Sequence, residues 1–348
     1  MIILPDGFKL IAKFVAGSNL YGTNTPLSDI DTRGVYIPSK KYFFGFMHKN
    51  RHFIEKEEDN EYHEIREFLK LATENNPNII EYLFVPEDKF DTLTSEWKMI
   101  IDNKKYFLSK KIRWTFSGYA VSQLKRIKRH RSWLLNPPDK KPERSDFGLQ
   151  MHRATIQKEQ IGAFNSLLAS YLKEIGKFHE LKDALNEMQE THDFKTMCHN
   201  TLIEDPEAIK KVIPVSDNFL EGIKKEKAYI KAKKEWDGYK QWEKNRNPER
   251  SILEKKYGYD TKHASHLFRL VTEAEELLTT GNLTFPRPDA AHLLEIRNGK
   301  YTYDELIDLC DHEERFDLLY NISDLPRSPD RNRIDKICSI ICEHYTQE

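Results

Sequence analysis

Residues 16–38 read AGSNLYGTNTPLSDIDTRGVYIP, and the fold of the first hundred residues turns on this stretch. Upstream of it, Phe8 to Ala16 is rich in β-branched and aromatic residues and reads as a strand that stops at Gly17-Ser18. A turn follows, and residues 29–37, DIDTRGVYI, read as a second strand. Arg51 to His63 supplies one or two more before the helical run EIREFLKLATENN. Alternation along residues 29–37 sends Asp29 and Asp31 to the same face, roughly 6.6 Å apart, where both can share hard cations. Ile30 would then point into the core. Gly17 lets the backbone approach a ligand closely, while neighbouring N–H groups and the Ser18 hydroxyl can hold the outer phosphates of a triphosphate. The two halves of the stretch make one pocket.

Working outward, 348 residues exceed what one compact core usually organises, so two domains are expected: a mixed α/β region over 1–105 and a mainly helical region over 106–348. The fold class is α+β. Hydrophobic residues make up 39% and charged residues 32%, the balance of a folded chain with a solvated surface rather than of a disordered or membrane protein. No run approaches eighteen apolar residues, and MIILPDGFKL lacks the pattern of a signal peptide, so no membrane partner and a cytoplasmic location are expected. The four cysteines, Cys198, Cys310, Cys338 and Cys342, form no C-x-x-C pair and read as reduced thiols. No H-E-x-x-H or clustered Cys/His spacing points to zinc. No serine or cysteine nucleophile has a recognisable partner, which argues against covalent catalysis. The oligomeric state is open.

Net charge is −1, yet Lys104 to Arg153 holds fourteen Lys/Arg against three Asp/Glu. Such a block can track phosphates or form a solvated helix face. Its aromatics, Trp114, Phe116, Tyr119 and Trp133, are expected mostly inside, with Trp114 and Tyr119 among the core. Asn76-Pro77 is expected to shape a turn. The clearest helix runs from Thr261 to Leu278, with Ala264, Leu267, Phe268, Val271, Ala274, Leu277 and Leu278 at helical spacing and Gly281 as its stop. Its other face carries Lys262, His266 and Arg269, a stripe that could meet phosphates.

The order Gly-Ser, ten residues, D-x-D, with strands on both sides, resembles the signature of the DNA polymerase β nucleotidyltransferase superfamily. Within it the chain looks like the RlaP-type nucleotidyltransferases associated with RNA repair. The likeness lies in GSNLYGTNTPLSDIDTRGVYIP, in EIREFLKLATENNPNIIEYLFVP, and in the region from Asn245 to Gly299 that contains KHASHLFRL; residues 154–240 match less well. The resemblance implies that Gly17 and Ser18 sit at the triphosphate and that Asp29 and Asp31 bind magnesium, with manganese as a possible substitute. Asp59 is implied as the third carboxylate, with Glu61 two residues on as the other candidate. The acidic run EKEEDNEYHE also reads as a charged hairpin. Lys262, His266 and Arg269 are implied near the nucleotide or the acceptor phosphate, the more so if Arg287 and Arg297 cluster with them. The expected activity is transfer of NMP from an NTP to the 3′ end of an RNA. A protein or small-molecule acceptor and a non-catalytic RNA-binding module are the rival readings.

Overall fold

The computed structural model describes residues 4–26, 28–45, 52–55, 60–151, 216–246, 248–310 and 313–347, with a few isolated positions between 162 and 170. The N-terminal region forms a five-stranded mixed sheet in the order β3-β4-β2-β1-β5. The strands are β1 Lys9–Val15, β2 Thr32–Ile37, β3 His52–Glu55, β4 Asn60–Glu64 and β5 Phe90–Leu93. β1 pairs antiparallel with β2 and β5, β2 runs parallel to β4, and β3 is antiparallel to β4. Helices then dominate the rest of the described chain, and the fold is α+β.

Alternation assigns the two faces of the sheet. Phe14, Val35 and His63 lie on the face covered by α3 (Ile65–Thr73), α4 (Pro77–Ile80) with the 3₁₀ turn Glu81–Phe84, and α5 (Ser95–Asp102). There Tyr82 packs edge-on to Phe14 at 4.8 Å and stacks on Phe68 at 5.7 Å, and Trp97 meets Phe68 at 5.0 Å. On the opposite face Phe8, Tyr36, Tyr42 and Phe53 form a second aromatic group, with Phe8 and Tyr36 5.3 Å apart. Asn76 caps α4 by accepting from the Asn78 N–H at 3.0 Å, and Pro77 occupies the first helical position, which confirms the Asn-Pro turn.

Packing divides the chain into Met1–Arg131 with Ile252–Glu348, and Ser132–Ser251. The C-terminal helices from Ile252 onward belong to the first unit. The Thr261–Thr280 helix ends at Gly281, whose φ of 65° permits the left-handed cap and whose N–H bonds Leu277 O at 2.9 Å. Its Ala264, Leu267, Val271, Ala274, Leu277 and Leu278 are buried, as the spacing requires, Phe268 is half-buried, and Leu270 joins the buried face. In the second unit, Arg144 pairs with Glu226 of the helix Asp217–Asn245, and Trp133 Nε1 donates to Glu235.

Two expectations fail. Residues 29–31 do not belong to a strand, and Ile30 is 65% exposed instead of buried. β1 ends at Val15, opposite Thr32, and the pairing runs on only to the Ala16 N–H on Asp31 O, so among the described residues Asp29 and Ile30 have no ladder partner. It is held by a turn, with Ser28 N–H on Thr25 O at 2.9 Å, and by Asn19 Nδ2 on Asp29 O at 2.9 Å. Trp114 is 44% exposed instead of buried. In helix α6, Ile112–Leu135, the buried stripe passes through Ile112, Phe116, Ala120, Gln123 and Ile127. Trp114 lies about 200° round the helix from Phe116 and rests on the Arg113 guanidinium, 4.4 Å from its ring.

Candidate active site

The Gly17–Ser18 bend and the two aspartates come together. α1, Gly17–Tyr21, starts where β1 ends, and Gly17 has φ 60°. A β-carbon built on Gly17 would stand 1.9 Å from Asp31 Oδ2, so the Asp31 carboxylate fills the space that glycine leaves. The Ala16 N–H donates to Asp31 O at 2.9 Å. Asn19, one residue after Ser18, binds the Asp29 carbonyl. Asp29 is exposed and Asp31 half-buried; the Asp31 carboxylate borders the bend, and the Asp29 backbone is tied to it through Asn19. That donor set suits an oxygen-liking cation.

Asp59 lies outside the described residues. Glu61, on β4, sits in register with Arg33 of the parallel β2, and its environment differs from that of the aspartates. One oxygen is 3.4 Å from Arg33 Nε; the other is 2.5 Å from His52 Nε2 and 3.4 Å from His63 Nε2. The His63 contact outweighs burial and, with the charges of Arg33 and His52, holds the Glu61 carboxyl down at about 2. Among the described residues, Asp29, Asp31 and Glu61 do not bring three donor atoms within 4.8 Å of one another. Glu61 is thus an ionised anchor held by Arg33, His52 and His63. Thr32 Oγ1 bonds Asn60 Oδ1 at the adjoining starts of β2 and β4.

The stripe Lys262, His266, Arg269 is not an exposed row of cations. Lys262 is exposed, His266 half-buried and Arg269 buried. Burial, reinforced by the charges of Arg269, His263, Arg126 and Lys262, pushes the His266 imidazole down to about 3, so it is neutral near pH 7. Arg269 bonds Glu81 and lies 2.8 Å from Glu273, with its guanidinium 4.0 Å from the Tyr21 ring. Tyr21 donates to Glu81 at 2.7 Å. Burial lifts Glu273 to about 8 against the pull of Arg269, so near neutrality its carboxyl keeps a proton and Glu81 answers the guanidinium. Arg269 therefore braces α1 from behind. Arg287 is likewise buried and paired with Glu276 and Asp289, so it adds no cation to Lys262. Tyr21 and Glu81 are the supporting residues that sequence spacing did not single out, since nothing local links them to Arg269.

Two arginines of the basic block are structural too. Arg113 binds Asp317 at 3.0 Å and Ser117 at 3.0 Å, and Arg131 binds Gly258 O at 2.8 Å over the Tyr303 ring. Lys125, Arg126, Lys128 and Arg129 are exposed on α6. Among the described residues no helix is long and apolar enough to cross a membrane.

Residues 4–142 match the family described as the RNA repair pathway DNA polymerase beta family, RlaP. This segment is RlaP-type. The RlaP description points to a polymerase beta-like nucleotidyltransferase connected with RNA repair. The chain is also 24% identical over 315 residues to an uncharacterised 38.9 kDa protein of the nrdC-mobD intergenic region of Enterobacteria phage T4, an alignment covering 85% of this chain and 84% of that protein. No solved structure matches the chain. The RlaP match spans the bend, both aspartates, Glu61 and the exposed lysines and arginines of α6.

Proposed function

We propose that the chain is a metal-dependent nucleotidyltransferase that moves NMP from an NTP to the 3′ hydroxyl of an RNA. The observation that carries this reading is the corner at Gly17: the bend is open on one side and backed by the Asp31 carboxylate, inside the RlaP-type segment. Asp29 and Asp31 would hold magnesium, or manganese, with Asp59 as the third carboxylate. Bound cations of this kind lower the pKa of a hydroxyl and stabilise a departing pyrophosphate. Gly17 and Ser18 would seat the triphosphate. The hydroxyl oxygen forms a bond to the α-phosphorus, the bond to pyrophosphate breaks, and the hydroxyl proton passes to a carboxylate of the set. Lys262 and the exposed cations of α6 would bind acceptor phosphates, and Arg269 and His266 act behind the site rather than on the ligand. The division into a catalytic region, 1–105, and a helical region, 106–348, is part of this reading, as is work in the cytoplasm.

The test is incorporation of labelled NTP into RNA with a free 3′ hydroxyl, in magnesium, by the whole chain and by the double variant Asp29→Asn, Asp31→Asn. The whole chain should lengthen the RNA. The variant should fold with an unchanged melting temperature and show only background transfer. Label appearing in protein or in a small hydroxyl compound would replace RNA as the acceptor, and undiminished transfer by the variant would overturn the site.

A further inference from the structure

Away from the Gly17 corner, three residues far apart in the chain aim donor atoms at one point. His130 comes from α6, Asp260 caps the Thr261–Thr280 helix, and His263 lies in its first turn. One donor atom from each lies within 4.8 Å of the other two. Asp260 is buried, at 2% exposure, and its Oδ1 accepts the His263 backbone N–H at 3.1 Å. Its Oδ2 is 3.7 Å from His130 Nδ1 and 3.6 Å from His263 Nε2.

The protonation of His263 follows from its far side. His263 Nδ1 is 2.8 Å from Gln123 Oε1, and an amide oxygen only accepts, so with the Gln123 amide in this orientation Nδ1 carries the proton. With that tautomer the Nε2 lone pair of the neutral ring faces the Asp260 side, where a metal ion would take it. A proton shared in an imidazolium–carboxylate bond would draw the atoms to about 2.7–2.9 Å, well inside the observed separations. Two metal bonds of about 2.1 Å at the tetrahedral angle place their donors roughly 3.4 Å apart, which the gaps match. Two imidazoles and one carboxylate are borderline ligands that suit zinc better than magnesium. Gln123, bonding the rear nitrogen, fixes the tautomer in the way such partners do at metal sites.

We propose that His130, Asp260 and His263 form a three-ligand site for a zinc-class divalent cation, distinct from the pair of aspartates at Gly17. Three protein ligands leave a fourth position open. The charges of Arg126 and Lys262, which already act on neighbouring His266, make an anionic oxygen a better fourth ligand than a neutral one. Local spacing could not show the site, because His130 is contributed by another helix.

The experiment is calorimetric titration of the chelator-treated whole chain with zinc, alongside the visible spectrum of the cobalt-loaded protein. The wild type should take one zinc equivalent here and show the intense cobalt bands of a four-coordinate site. Asp260→Asn keeps a good helix cap while removing the charge, and His130→Ala removes a partly exposed ring; each should weaken zinc at least tenfold. Gln123→Leu should weaken it by about 10–100-fold through the tautomer. Metal-free melting curves identify any variant that fails to fold, and His130→Ala then carries the comparison. The proposal is overturned if the wild type takes no zinc. It is equally overturned if His130→Ala holds zinc as tightly as wild type, which would place the metal elsewhere, as at His52, Glu61 and His63. None of these outcomes depends on nucleotidyl transfer.

Discussion

Gly17 meets two demands at once: a φ of 60° and a neighbouring carboxylate where a β-carbon would stand. Gly17→Ala should therefore cost about 1–2 kcal/mol from the backbone alone and displace Asp31. Since a shift of about 1 Å at reacting groups can lower a rate roughly 100-fold, transfer should fall at least that far while the melting temperature drops modestly; transfer at the wild-type rate would show that Asp31 is not needed at this bend. Arg269 is the opposite kind of residue. Arg269→Met leaves Glu81 buried without its main partner and should cost about 3–5 kcal/mol in chemical denaturation, whereas Glu273→Gln, which replaces a carboxyl already protonated near neutrality, should cost far less. The contrast shows what single residues could tell in advance. Gly17, Ser18, Asp29 and Asp31 are close in the chain, and their spacing alone suggested one corner. Arg269 was placed on a phosphate-facing stripe because its partners, Tyr21 and Glu81, come from the other end of the sequence.

At the scale of elements, strands and helices that bury one continuous face were legible, and segments without a partner were not. Phe8 to Ala16, rich in β-branched and aromatic residues, contains β1, and the Thr261–Thr280 helix has its apolar stripe and glycine stop where the pattern puts them. Asp29 and Ile30 read as strand but, among the described residues, have no ladder to join, and Trp114 sits on α6 off the buried stripe. Ion pairs between elements were invisible for the same reason. Lys9 on β1 reaches Glu96 of α5 at 2.5 Å. Burial raises the Glu96 carboxyl, but the bonds from Lys9 and Thr94 win and hold it at about 2, below its ordinary 4.5. A depressed folded value means stability that is present above pH 4.5 and is lost as the pH falls toward 2. Melting temperatures measured across that window should fall less steeply for Glu96→Gln than for wild type; parallel curves would remove Glu96 from the acid response.

For the whole molecule, the RlaP match ends at residue 142, but its first helix is in contact with the far end of the chain. Arg287 N–H donates to Tyr21 O at 3.0 Å, and Gly22 faces Pro286 so closely that a β-carbon there would lie 2.9 Å from it. Lys110 N–H reaches Pro326 O at 2.8 Å, and Asp330 N–H reaches Tyr106 O at 2.9 Å. Together with Arg269 on Glu81, these contacts make Ile252–Glu348 part of the same compact unit as Met1–Arg131. Removing the C-terminal segment would take away the helix Arg331–Gln347 that packs on α3 and α5, and large apolar surfaces newly open to water favour aggregation. A fragment of residues 1–142 should therefore be insoluble or lack cooperative melting, and should show no transfer. Co-expression with residues 252–348 should restore a soluble, melting complex, because these contacts need no covalent link. A fragment 1–142 that melts cooperatively by itself would mean that the C-terminal helices serve the ligand and not the stability of the α1 corner.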